Sequence, residues 1–156
     1  IALYHNGNKN DYIELMNVFH KLIPCPFCKH NFGKKIKKEP INENVNNAKD
    51  MFKYTVRLHN SVNRQNNKKM YTFNEAKELY KDKPSKKHFI LFFKEFYNSN
   101  YRWNKKTLII FLRSLCNIYP GMNVRSELQK FNKKLPINEK KLKDWFIVFI
   151  KIIEMY

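Results

Sequence analysis

Two cysteines three positions apart, Cys25 and Cys28 in the stretch LIPCPFCKHNF, are the residues of this chain best suited to covalent chemistry. Such a pair can supply half of a zinc site, staple a fold, or act as a dithiol that passes electrons. Zinc takes four ligands. His20, His30 or His59 could add to the pair, but no second pair stands at finger-like spacing. A thioredoxin-type site needs a βαβ frame, and no strand pattern is present to build one. A redox pair on a helical scaffold is what remains, and CxxC alone, common in unrelated proteins, does not decide it. The free amides and dipole at a helix start stabilise a thiolate, and Pro24 and Pro26 fix φ in the turn that presents the sulfurs.

A second stretch, YTVRLHNSVNRQNNKKMY from Tyr54 onward, carries a different chemistry. His59 and Asn63 lie one helical turn apart on a single face. A flat imidazole and an amide with both donors and acceptors suit a purine ring and its edge. Lys68, beyond the last turn, could reach a diphosphate. The structural alternative is a satisfied polar pair at a buried helix end.

The elements that must position these groups read as helices nearly throughout. From Asp11 as N-cap, Ile13, Met16, Phe19/His20 and Ile23 recur on one face until Pro24 stops the helix. A new helix begins at the cysteine pair and runs to Lys37, followed by a loop around Pro40. A longer one spans 46–66 with two ribbons: Met51, Thr55, Leu58 and Val62, and Phe52, Val56, His59 and Asn63. A short helix, 74–81, is capped by Thr72 or Asn74 and turns Ala76, Leu79 and Tyr80 inward. KDKPSKK, interrupted by Pro84, reads as a break. Four more helices follow, marked by Phe89, Phe92/Phe93 and Phe96/Tyr97; by Leu108, Phe111/Leu112, Leu115/Cys116 and Tyr119; by VRSELQKFNKKL after Pro120 and Gly121; and by 142–156. The expected fold is all-α.

Composition narrows the function classes. A hydrophobic fraction of 43%, with 13 Phe and 9 Tyr, supplies ample core for 156 residues, and three Gly argue against a turn-rich all-β chain. Three cysteines are too few for a secreted disulfide framework, and the odd one is Cys116 on an apolar stripe, where an inert buried thiol is expected. No apolar run reaches the roughly 18 residues of a membrane span. The net charge of +18 would suit an anionic partner, but the lysines are scattered among Asn and Glu and no nucleic-acid module is present. The abundance of Lys, Asn, Ile, Phe and Tyr reads as AT-rich codon bias. The chain begins at Ile1 without Met or a signal-peptide pattern, and reads as a fragment.

Taken together, Pro24, Cys25, Cys28 and Phe32, followed by His59, Asn60, Val62, Asn63 and Lys68, resemble the Erv/ALR family of FAD-linked sulfhydryl oxidases. That family joins a PCxxCxxxF-like segment to a helix bearing HNxVNxxLxK. The resemblance covers residues 1–80. It implies a small helical bundle that binds FAD noncovalently beside the cysteines, as a homodimer. Cys28 would sit against the flavin and Cys25 would exchange with a protein dithiol, for instance a thioredoxin-like protein. Electrons would pass through the flavin to O2, giving hydrogen peroxide. Tyr54, His59, Asn60, Val62, Asn63 and Lys68 become the cofactor-binding set, with no metal. Tyr54 stands where the family has Trp, Asn66 where it has Leu, and Val56 and Thr72 near a second disulfide that many members carry. The family's upstream Trp and His would precede Ile1. Viral members share this reduced form, which implies host cytoplasm or virion; a cellular source would imply an oxidising organelle.

Two regions are expected: an oxidase core over 1–81, cut short at its N-terminal end, and a helical region over 82–156, outside the resemblance and of unknown role. The second could pack on the core, form a dimer face or recruit a substrate protein. Trp103 and Trp145 would anchor a core or interface. The rival reading is a non-enzymatic basic helical module that binds zinc or nucleic acid.

Overall fold

A computed structural model describes residues 9–81, 87, 90, 91, 94, 104–119, 121–133 and 139–155. The expectations on residues 1–8, on Pro84, on the helix marked by Phe89, Phe92, Phe93, Phe96 and Tyr97, and on Trp103 and Pro120 lie outside them. The described residues are all-α, without a strand. Their helices are α1 (Lys9–Leu22), α2 (Pro26–Lys38), α3 (Ile41–Asn44), α4 (Ala48–Gln65), α5 (Phe73–Leu79), α6 (Lys105–Ile118), α7 (Met122–Asn132) and α8 (Glu139–Met155).

Helix α1 is the hub. It buries Tyr12, Leu15, Met16, Val18 and Leu22, a set too wide for a single stripe. The single face expected from the sequence fails because α1 packs on two sides, against α2 and α3 and against α6. Asp11 is no cap either. It sits in the first turn and accepts from the Asn117 amide at 2.9 Å, while Glu14 accepts from the Ser114 hydroxyl at 2.7 Å. Residue numbers rise along α1 as their partners fall along α6, so the two helices run antiparallel. Phe19 extends the register by stacking on Phe111, 6.2 Å between centroids.

On its other side α1 fixes α2. Phe19 meets Phe32 edge-on at 6.0 Å, and His20 lies so close to Gly33 that an added Cβ would stand 3.3 Å from the imidazole. An alanine at 33 would require that imidazole to shift by a few tenths of an ångström.

Helix α4 is capped by Asn47, whose side chain accepts from Asp50 N, and it buries Met51, Phe52, Tyr54 and Leu58. Its second ribbon starts buried at Phe52, is exposed at His59 and ends half-buried at Asn63. The expected loop at Pro40 holds the four-residue α3, started by the fixed φ of Pro40 and pinned by Ile41, which is 1% exposed. Helix α5 is capped by Thr72 in a capping box with Glu75. Only Ala76 turns fully inward: Leu79 and Tyr80 are 59% and 51% exposed, because seven residues offer one narrow face to α4. In the C-terminal half, Leu108, Phe111, Leu112, Leu115, Cys116 and Tyr119 are buried as expected. Trp145 is an internal anchor, stacked between Phe131 and Phe149. These residues join those of α1 and α4 in one hydrophobic cluster running from Tyr12 to Ile153. No helix among the described residues is long and apolar enough to cross a membrane.

Candidate active site

The cysteine pair forms the start of α2. Cys25 is its N-cap, in extended conformation (φ −71°, ψ 115°), and Pro26 follows at the first helical turn, where its missing N–H costs nothing. The Cys25 sulfur takes the role an oxygen plays in a Ser or Asp cap, accepting from the Cys28 amide at 3.3 Å. Both thiols are free and exposed, and Phe27 between them is 69% exposed.

This arrangement splits the two thiols. Cys25 is held below the ordinary thiol range, first by the hydrogen bond from the Cys28 thiol and then by the amides of Cys28 and Phe27. Donating that bond, and lying beside Cys25, pushes Cys28 up. The pair therefore gives up its first proton more readily from Cys25 than from Cys28. Cys116 lies in the core and is pushed up to about 12 by burial. Alkylation of the reduced protein with iodoacetamide, mapped by mass spectrometry against pH, should modify Cys25 first. Its half-point should fall below that of an ordinary thiol and that of Cys28 above it, while Cys116 reacts only on unfolding. Equal rates at positions 25 and 28 would contradict that order.

The second group of residues is built at the other end of the site by α4 and the loop after it. Asn67, at φ 53°, closes α4 in a left-handed turn: the Lys68 amide returns to Asn63 O at 2.8 Å and the Asn67 amide to Arg64 O at 3.3 Å. Asn60 then locks the returning strand of chain, donating to Tyr71 O at 2.7 Å and accepting from Tyr71 N at 2.9 Å. Asn63 donates to Lys69 O at 2.8 Å. Both asparagines thus hold loop 66–72 against the helix. His59 and Lys68 are exposed and their side chains have no polar partner among the described residues; Val62 is half-buried.

Tyr54 stands apart. Its ring is fully buried, with its hydroxyl donating to Glu39 O at 2.8 Å, so no open face remains for a base to stack on in this conformation. Arg57 lies over that ring and also pairs with Glu39.

One contact the sequence gave no sign of joins the two groups: Lys35 Nζ on α2 donates to Ser61 O on α4 at 3.1 Å. Cys28 lies seven residues before Lys35, on the same face of α2 and about 10 Å along the axis. From that face the Lys35 side chain reaches across to α4. A lysine in a run of lysines carries no pattern that would single it out. The exposed Phe27 does leave a signal: an aromatic between two cysteines at a helix start has no core to enter.

A cavity of about 130 Å³ between α1 and the start of α4 is lined by Lys9, Tyr12, Val45, Asn46, Asn47, Ala48 and Met51, and none of the candidate residues borders it. It is too small for a dinucleotide. Among the described residues, no three of His, Cys, Asp and Glu gather as metal ligands do.

Comparison with known proteins bears on both groups. Two isolates of African swine fever virus carry a protein named FAD-linked sulfhydryl oxidase, 32% identical to this chain over 72 residues. A probable FAD-linked sulfhydryl oxidase of Acanthamoeba polyphaga mimivirus is likewise 32% identical over 72 residues. These alignments take in 46% of this chain and 59% or 50% of the relatives, so the chain spans little more than half of the curated relatives it matches. No solved structure matches it significantly. The Erv1 / Alr family model matches residues 3–82, a stretch holding the CxxC turn, the whole of α4 and the asparagine-locked loop, and by that match the chain belongs to the Erv1 / Alr family.

Proposed function

We propose that this chain is an FAD-linked sulfhydryl oxidase that converts protein dithiols to disulfides. The observation that supports this reading is the α2–α4 link, in which Lys35, on the face of α2 that bears Cys28, donates to Ser61 O within the segment bearing His59, Val62 and Asn63.

The residues fit a dinucleotide. His59 offers an unengaged imidazole beside half-buried Val62, and Lys68 and Arg64 are exposed cations without an acidic partner among the described residues. These would take the nucleotide end, with Asn60 and Asn63 fixing the loop that presents Lys68 and Tyr54 supporting α4 from behind. When bound, FAD supplies the two-electron acceptor that returns the cysteines to a disulfide and passes the electrons to O2, yielding hydrogen peroxide.

The chain's own chemistry is thiol–disulfide exchange. A substrate thiolate attacks the Cys25 sulfur of the Cys25–Cys28 disulfide, breaking it and releasing Cys28. The substrate's second thiol, deprotonated, attacks its own sulfur in the mixed disulfide, forming the substrate disulfide and expelling Cys25 as a thiolate. A leaving thiol of lower pKa leaves faster, so the bonds from the Cys28 thiol and then from the Cys28 and Phe27 amides, which lower Cys25, favour this second step. The reading extends to a homodimer, on the family resemblance, and to host cytoplasm or virion, on the viral origin of the relatives.

Purified full chain should be yellow, carry flavin absorption and consume oxygen when dithiothreitol is added. A colourless protein that takes up no added FAD and consumes no oxygen, or one that carries zinc instead, would refute the proposal.

A further inference from the structure

Helix α2 carries five lysines, Lys29, Lys34, Lys35, Lys37 and Lys38, and no acidic residue. Lys35 is spent on Ser61, and the packed side of the helix holds Phe32, Gly33 and Ile36. On the opposite side Phe27, Lys34 and Lys38 fall in one line, at spacings of seven and four, over about 16 Å of helix. All three are exposed. Neither lysine has an ion-pair partner among the described residues, and the neighbouring carboxylate of Glu39 is taken by Arg57. The line begins two residues after Cys25, at an aromatic side chain that is 69% exposed.

We infer that this face of α2 docks the substrate. An acidic polypeptide segment lies along Lys34 and Lys38, an apolar side chain of it rests on Phe27, and its dithiol is thereby brought to Cys25. Charge selects the occupant. A helix of five lysines within a chain of net charge +18 repels a basic polypeptide and concentrates an acidic one. The stripe leads away from the 59–63 segment, since Phe27, Lys34 and Lys38 lie off the face shared by Cys28 and Lys35, so docked substrate and cofactor would approach the cysteines from different sides.

The inference rests on the thiol-oxidase reading and is tested separately from it. The probes are two reduced CxxC peptides identical except that a run of Glu after the second cysteine is Gln in the other, with dithiothreitol as a small uncharged dithiol. At low salt the wild-type chain should oxidise the acidic peptide with kcat/KM about tenfold above the neutral one, and added salt should erase the difference. Lys34→Glu with Lys38→Glu should abolish or invert the preference and leave dithiothreitol oxidation unchanged. Lys34→Gln with Lys38→Gln, which keeps good helix formers on the surface, should remove most of it. Equal kcat/KM for both peptides, or a preference that survives these substitutions, overturns the docking face while the oxidase stands. Failure to oxidise dithiothreitol overturns the oxidase reading and the docking face with it.

Discussion

Cys28→Ser is expected to abolish dithiol-dependent oxygen uptake, by at least about 10³-fold, while the purified protein keeps its bound flavin. The reasoning separates the thiol from the fold. The Cys28 side chain is exposed, and the structural bond at this turn is made by its backbone amide to the Cys25 sulfur, which serine at 28 leaves in place. With one sulfur gone no disulfide can form, and groups that act as a unit lose nearly the whole rate when either is removed. Cys25→Ser should be equally inactive, and it too should fold, because serine is a favoured N-cap and its oxygen can accept from the same amide. Cys25→Ala would confuse the two effects, removing chemistry and cap together, the cap alone being worth roughly 0.5–2 kcal/mol. Cys116→Ala supplies the control: its thiol is buried at the α6 stripe, so activity per folded molecule should persist. Oxygen uptake and flavin content measured on the same preparations decide the matter. Persistent turnover in Cys28→Ser would remove that sulfur from the reaction.

The helices were legible because burial leaves a 3.6-residue rhythm, and Thr72 announced itself as a cap by type and spacing, whereas the Asn47 cap went unread and Asp11 proved to lie inside the first turn. The cysteine turn was legible because Pro24 ends one helix and Pro26 opens the next. What escaped depends on neighbours distant in sequence. The second buried side of α1 exists only because α6, about a hundred residues away, lies antiparallel to it. Leu79 reads as apolar and therefore inward, but α5 is too short to cover it. The asparagines teach a sharper lesson. An amide fit to bind a ligand is equally fit to bind a peptide unit, and Asn60 spends both its ends on Tyr71, with Asn63 assisting at Lys69. These bonds tether the loop to α4.

The position of α6 gives the second large effect. Leu112→Ala should lower the unfolding free energy by about 2–5 kcal/mol, the range for emptying a fully buried leucine site. Leu112 has no exposed surface and lies one residue from Phe111, which stacks on Phe19 of α1. The same Phe19 meets Phe32 of α2, so the chain of contacts runs from the C-terminal half through α1 to the helix that begins at the cysteines. The hydrophobic cluster crosses both halves without a break, so unfolding in urea should proceed in one transition, with its midpoint lowered and its slope unchanged. Leu79→Ala, at a leucine that is 59% exposed, should move that midpoint by no more than about 0.5 kcal/mol equivalent. Two separate transitions, with only one shifted by Leu112→Ala, would mean that the C-terminal helices fold on their own. The single cluster predicts the reverse: they are part of what holds α1, and through α1 they hold the cysteine turn in place.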